Sequence, residues 1–287
     1  MTTWPRAMPA LVTALDPSGD LDVEGHRHNI AVMVERGARG VLLAGSTGEG
    51  PYLDVGERAA LVTNAKEVDA SLTILCGINA ESVRQGAAQI REATQAGADA
   101  VLVITPTTLA RKDPGAIERF YVACAESSEV PVFLYNVPAV SSLVLTVDQV
   151  RNLAGHERIV GMKDSGGEPE RLDGLADLIA DGFTVFTGAS RALLASHHAG
   201  AWGAITASAN YALTEVSLAS RGDAAAQQRL TAIAGSIEEH GVAGTKAAAT
   251  ATGLHAGPPR PPLRSVDPTE AAQIVGRLRA AGLVSTQ

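Results

Sequence analysis

Lysine is scarce in this chain. Of 287 residues only Lys66, Lys112, Lys163 and Lys246 are lysines, and the 23 Lys and Arg together fall short of the 31 Asp and Glu. A net charge of −8 with a pI near 5.4 leaves no electrostatic footprint for nucleic acid or an anionic membrane surface. Cysteine is scarcer still. Cys76 and Cys124 lie far apart and suit neither a disulfide framework nor a metal site. The pairs His26/His28 and His197/His198 lack a third ligand at sensible spacing, so no metal and no cofactor is expected. No apolar run approaches the ~20 residues that cross a bilayer. The opening Met1-Thr2-Thr3-Trp4-Pro5 has no basic stretch leading into an apolar one, so no signal peptide is expected and the expected location is cytoplasmic.

What the chain does have is an apolar fraction of 46% and a repeated alternation. Short β-type runs fall at Met8–Thr13, Gly40–Ala44, Leu72–Cys76, Ala100–Ile104, Val130–Tyr135, Arg158–Met162, Phe183–Phe186 and Trp202–Thr206. Several are almost wholly apolar, as in a parallel sheet covered on both faces. Helix-like segments intervene, among them Val55–Val68, Ser82–Ala96, Pro114–Ser127 and Arg171–Ala180, with caps expected at Asp54, Asp113 and Thr146. A doubly wound sheet also alternates, but a count of eight favours a (β/α)8 barrel. Residues 1–224 form the expected barrel. Residues 225–287 form the expected helical region: helices over Ala225–His240 and Thr245–Leu254, the breaker Gly257-Pro-Pro-Arg-Pro-Pro262, and a last helix Thr269–Ala281 capped by Asp267.

In such a barrel, chemistry sits at the carboxyl ends of the strands. Those ends here read Gly45-Ser46-Thr47-Gly48-Glu49, Tyr135-Asn136, Lys163-Asp164-Ser165, Gly188-Ala189-Ser190 and Thr206-Ala207-Ser208. Lys163 ends an apolar run, where partial desolvation favours the neutral amine that attacks ketones and forms Schiff bases. Tyr135 is placed to move protons. Ser46 and Thr47, with the amides of a glycine-flanked turn, suit a carboxylate. Asp164 reads as a structural acceptor. Glu49 reads equally as a group that orders its loop or as an acid–base group.

Together these segments resemble the dihydrodipicolinate synthase/N-acetylneuraminate lyase family of class I aldolases. Gly45-Ser46-Thr47-Gly48-Glu49, Tyr135-Asn136-Val137-Pro138, Gly161-Met162-Lys163-Asp164-Ser165 and Gly200–Asn210 carry the resemblance, which spans nearly the whole chain. It implies a Schiff base on Lys163 with pyruvate, a relay through Tyr135 and carboxylate binding by Ser46 and Thr47. It further implies that Ser165, Gly188 and Ile205 line the pocket, that an aldehyde is the second substrate, and that the assembly is a homotetramer.

Two departures bear on that second substrate. Val140 stands where the synthases carry a carboxylate-binding arginine, and Thr107 and Thr108 follow Pro106 where a tyrosine pair is common. The first departure speaks against dihydrodipicolinate synthesis. The stretch from Val132 to Asn210 is most similar to the 4-hydroxy-2-oxoglutarate aldolases, with sugar-acid aldolases and aromatic hydratase-aldolases as alternatives of the same chemistry. The second departure makes Thr107 or Thr108 with a water the expected stand-in for the relay. It also leaves open a non-catalytic 2-oxo acid binder.

Overall fold

The computed structural model describes residues 3–284. Eight strands alternate with helices: β1 (Ala7–Pro9), β2 (Gly40–Leu43), β3 (Thr73–Ile78), β4 (Ala100–Ile104), β5 (Val132–Asn136), β6 (Ile159–Asp164), β7 (Thr184–Thr187) and β8 (Gly203–Thr206). All pair in parallel in the order β1-β8-β7-β6-β5-β4-β3-β2. A bridge between Ala10 and Leu42 brings β1 back beside β2 and rounds the sheet into a (β/α)8 barrel. Asn210 helps to seal that junction, its side chain accepting from the Val12 amide and donating to the Ala10 carbonyl.

Around the barrel lie α1 (Val23–Glu35), α2 (Glu57–Val68), α3 (Val83–Gln95), α4 (Pro114–Glu126), α5 (Pro138–Ser141), α6 (Val147–Ala154), α7 (Ala176–Ala180), α8 (Leu193–His198) and α9 (Leu213–Ala219). Strand side chains alternate between two layers. Met8, Leu42, Leu75, Leu102, Phe133, Phe186 and Ile205 fill the interior, while Val41, Val101, Leu134, Met162 and Ala204 pack outward against the helices. The same parity points Tyr135 inward.

Expected and observed elements differ where glycine and proline intervene. The helix expected from Val55 with Asp54 as cap begins instead at Glu57. Gly56, at φ +93°, is left-handed and caps it without a side chain, and Glu57 folds back to accept from the Asp54 amide. The segment expected as one helix from Arg171 is a 3-10 stretch over Pro169–Leu175 before α7. Gly174 there lies so close to α6 that a Cβ would meet Val147 at 2.9 Å.

Beyond the barrel, α10 (Ala224–Glu238) packs on α9, and α11 (Gly241–Ala251) lies between α10 and α12 (Pro268–Ala280). The irregular segment between α11 and α12 returns to the barrel through Arg260, which donates to the carbonyls of Gly19 and Tyr52 and pairs with Glu57.

Candidate active site

Strand register builds the centre. Tyr135 and Lys163 are direct partners across β5 and β6, and both sit at the carboxyl end of the barrel. Their side chains meet inside it: Lys163 Nζ is 3.3 Å from the Tyr135 hydroxyl and 4.4 Å from its ring centroid. Both are nearly enclosed, at 4% and 6% exposure. Burial pushes the Tyr135 phenol upward, but the Lys163 charge and hydrogen bonds with Ser165, Ser46 and Lys163 outweigh it and hold the pKa below that of a free tyrosine. Ser46 Oγ comes near enough to contribute to that effect, yet it is buried with no partner at full hydrogen-bond distance. Ser46, Ser165, Tyr135 and Lys163 thus converge.

Gly188 lets the side chains of Ser165 and Lys163 lie directly against its backbone. A Cβ there would lie 2.0 Å from Ser165 Oγ and 2.7 Å from Lys163 Cε. Ile205, fully buried, faces the same barrel interior from β8. Thr47 adjoins Ser46 in the loop after β2 and is half-buried.

That loop is held from several directions. Ala44 (φ +52°) and Glu49 (φ +58°) adopt the left-handed region, a strained conformation for residues other than glycine. Thr13 Oγ1 donates to the Gly48 carbonyl and Asn79 Nδ2 to that of Ala44. Arg58, buried at 3% exposure, donates to the carbonyls of Gly50 and Gly77. Glu49 forms an ion pair with Lys246 at 2.6 Å. Asp164 points away from the amine, accepting from Asn136 Nδ2 and the Gly166 amide and facing Arg171 at 3.5 Å. Asn136 also accepts from the Leu145 amide, which fixes the β5 loop.

The other lysines are engaged elsewhere or exposed. Lys66 pairs with Asp99, Lys246 pairs with Glu49, and Lys112 is exposed. Thr107 and Thr108, the expected stand-ins for the relay, are engaged with Glu81. Both amides donate to the Glu81 carboxylate, as does the Thr107 hydroxyl at 2.8 Å. Although burial raises it, these donors hold the Glu81 pKa below the ordinary carboxylate range. The threonines therefore cap Glu81.

Three contributors carried weaker sequence signals: Glu81, Arg58 and Lys246. For Lys246 the signal was a lone cation inside the small-residue run Gly-Val-Ala-Gly-Thr-Lys-Ala-Ala-Ala. Among the described residues, no cluster of three His, Cys, Asp or Glu could hold a metal ion.

A parallel eight-stranded barrel with an amine and a phenol in contact at its carboxyl mouth is the architecture of a class I carbon–carbon lyase, an enzyme that works through a lysine Schiff base. This protein is one. The chain belongs to the dihydrodipicolinate synthetase family, whose model matches residues 4–281. It is 33% identical over 275 residues to 4-hydroxy-tetrahydrodipicolinate synthase 1 of Streptomyces coelicolor, covering 91% of this chain and 89% of that one. It is 30% identical to an uncharacterized DapA-like lyase of Halobacterium salinarum, covering 96% and 94%. Among solved structures it resembles YagE, a prophage protein of this family from E. coli K12 in complex with pyruvate. That match has a TM-score of 0.91 at 27% identity and covers 98% of this chain and 100% of that one. The dihydrodipicolinate synthase of Acinetobacter baumannii complexed with pyruvate matches with a TM-score of 0.90 at 27% identity, covering 97% and 99%.

Proposed function

We propose that Lys163 forms the Schiff base, with pyruvate as the 2-oxo acid, and that the resulting enamine joins or releases an aldehyde. The observation that carries this reading is the 3.3 Å approach of Lys163 Nζ to the Tyr135 hydroxyl inside the barrel. The amine adds to the C2 carbonyl, and the carbinolamine loses water to give an iminium. Loss of a methyl proton then leaves an enamine whose carbon attacks the aldehyde. Tyr135, with its lowered pKa, supplies and removes the protons at the carbinolamine. Ser46 and Thr47 hold the carboxylate, Ser165 and Ile205 line the pocket, and Gly188 lets Ser165 and Lys163 pack against its backbone.

For the aldehyde, the names of the relatives favour dihydrodipicolinate synthesis over the 4-hydroxy-2-oxoglutarate aldolase preferred on sequence alone. The synthase reading therefore leads, with an amino-acid aldehyde as partner. One observation keeps a second reading, an aldehyde without a carboxylate, in view. Val140, at the start of the β5 loop, is 57% exposed and cannot pair with a second carboxylate. Turnover of pyruvate with an amino-acid aldehyde, with glyoxylate and with an uncharged aldehyde discriminates the two. The synthase reading expects the amino-acid aldehyde to react with the highest kcat/KM, and a preference for glyoxylate or an uncharged aldehyde would overturn it. Lys163→Ala is expected to abolish turnover with all of them, and full activity in that variant would end the Schiff-base assignment.

A further inference from the structure

Lys246 lies on α11, outside the strand and loop framework that carries the proposed chemistry, yet its ammonium is buried at 2% exposure. It reaches Glu49 Oε1 at 2.6 Å and donates to the Pro258 carbonyl at 2.8 Å. Glu49 is equally enclosed, and its second oxygen accepts from the Arg260 amide at 2.6 Å. The contact with Lys246 is an ion pair more than a well-aligned hydrogen bond, since Glu49 Oε1 lacks a partner of good hydrogen-bond geometry. The C-terminal helical region thus grips one residue of the loop after β2 with a charge and an amide together.

Glu49 is the residue at which that loop needs holding. Its φ of +58° is strained for a residue with a Cβ, and the next residue is packed against the start of the same loop so closely that a Cβ on Gly50 would meet the Ala44 carbonyl oxygen at 2.0 Å. Three residues earlier, the Ser46 carbonyl accepts from the Glu49 amide, so the turn that presents Ser46 and Thr47 is closed by Glu49 itself. Removing a partner from a buried ion pair strands the other charge, and a strained turn then has an incentive to relax.

We infer that Lys246 is a positioning residue for the 2-oxo acid carboxylate: through Glu49 it fixes the Ser46–Thr47 turn, so the C-terminal helical region sets the affinity of the barrel site. The inference rests on the Schiff-base reading above. Its action is on binding, because neither Lys246 nor Glu49 contacts Lys163 or Tyr135. A merely structural role would lower the melting temperature without moving pyruvate affinity.

The test is borohydride trapping as a function of pyruvate concentration, read by intact mass on wild type, Lys246→Met, Glu49→Gln and the double variant, each checked for folding by circular dichroism. Loss of charge-assisted carboxylate contacts predicts that the half-saturating pyruvate concentration rises about tenfold in each single variant while the plateau trapping rate changes little. Because Lys246 acts through Glu49, the double variant should match the singles rather than multiply their effects. Unchanged half-saturation in a folded single variant, or a multiplied effect in the double, overturns the inference. If Lys246→Met does not fold, the double variant, which strands no charge, decides alone, and wild-type pyruvate affinity in it overturns the inference. Absence of any adduct in wild type fails the Schiff-base reading itself and removes this inference with it.

Discussion

Tyr135 is enclosed by Phe133, Phe186 and Ile205 in the barrel interior, and burial of that kind ordinarily makes a phenol a weaker acid. The adjoining Lys163 and the hydroxyls of Ser165 and Ser46 reverse the direction, which brings the proton within easier reach near neutral pH. Tyr135→Phe keeps the ring and removes the relay. Loss of one positioned acid–base group predicts a fall in kcat of about 10²- to 10³-fold, with the alkaline limb of the pH profile flattened. Steady-state kinetics across pH checks this, and a variant with wild-type kcat would contradict it. Gly188→Ala tests that close fit: the new methyl must displace Ser165 Oγ and Lys163 Cε, both near the ends of side chains, so the fold should survive. Pyruvate capture should fall by at least about tenfold, as overpacking of a fitted site predicts, and retained trapping would show that the pocket lies elsewhere. Lys163 was legible because it ended an apolar run. Lys246 was not, because nothing local in a run of alanines and glycines shows that its ammonium meets Glu49 nearly 200 residues away.

The strands were legible as elements and shifted as intervals. The expected Ala100–Ile104 coincides with β4, whereas β3 and β6 run two residues further than their apolar runs, to Ile78 and Asp164. In β6 that extension brings Lys163 into the ladder beside Phe186 and so fixes its inward direction. In β6 ladder bonding continues past the last apolar residue, where hydropathy cannot register it, and in β3 Gly77 interrupts the run before Ile78. The loops were harder. The meeting of Glu81 with Thr107 and Thr108 joins the β3 and β4 loops, which no local pattern encodes. Caps fared well where a side chain accepts from the helix: Asp113, Thr146 and Asp267 all do so, the last two in capping boxes. Asp267→Ala should cost about 1 kcal/mol of stability, read as a lower thermal midpoint with kcat unchanged, since α12 touches none of the proposed site residues. A loss of kcat in a folded Asp267→Ala protein would tie α12 to the chemistry and contradict that separation.

At the scale of the molecule, the barrel count of eight was readable from periodicity, but its union with the C-terminal helices was not, because Arg260 and Lys246 make their contacts across long sequence separations. One buried group sets a pH limit on the whole fold. His26 donates from one ring nitrogen to the Leu61 carbonyl, its other ring nitrogen has no partner, and burial lowers its pKa from 6.5 to about 4. Between those values the unfolded chain binds a proton that the folded chain refuses. Stability is therefore full above about pH 6.5 and falls as pH drops toward 4, by about 1.4 kcal/mol per pH unit and about 3 kcal/mol in all. Thermal midpoints over this range should decline, and His26→Gln should shallow the slope. An identical slope in that variant would assign the acid sensitivity to other groups.

The central claim is that one of four lysines carries the chemistry, and it is tested most directly by reducing the protein with borohydride in the presence of pyruvate and mapping the adduct by peptide mass. A reduced pyruvyl group on Lys163 alone is the predicted result. An adduct on Lys66, Lys112 or Lys246, or none when pyruvate is shown to bind, would contradict it.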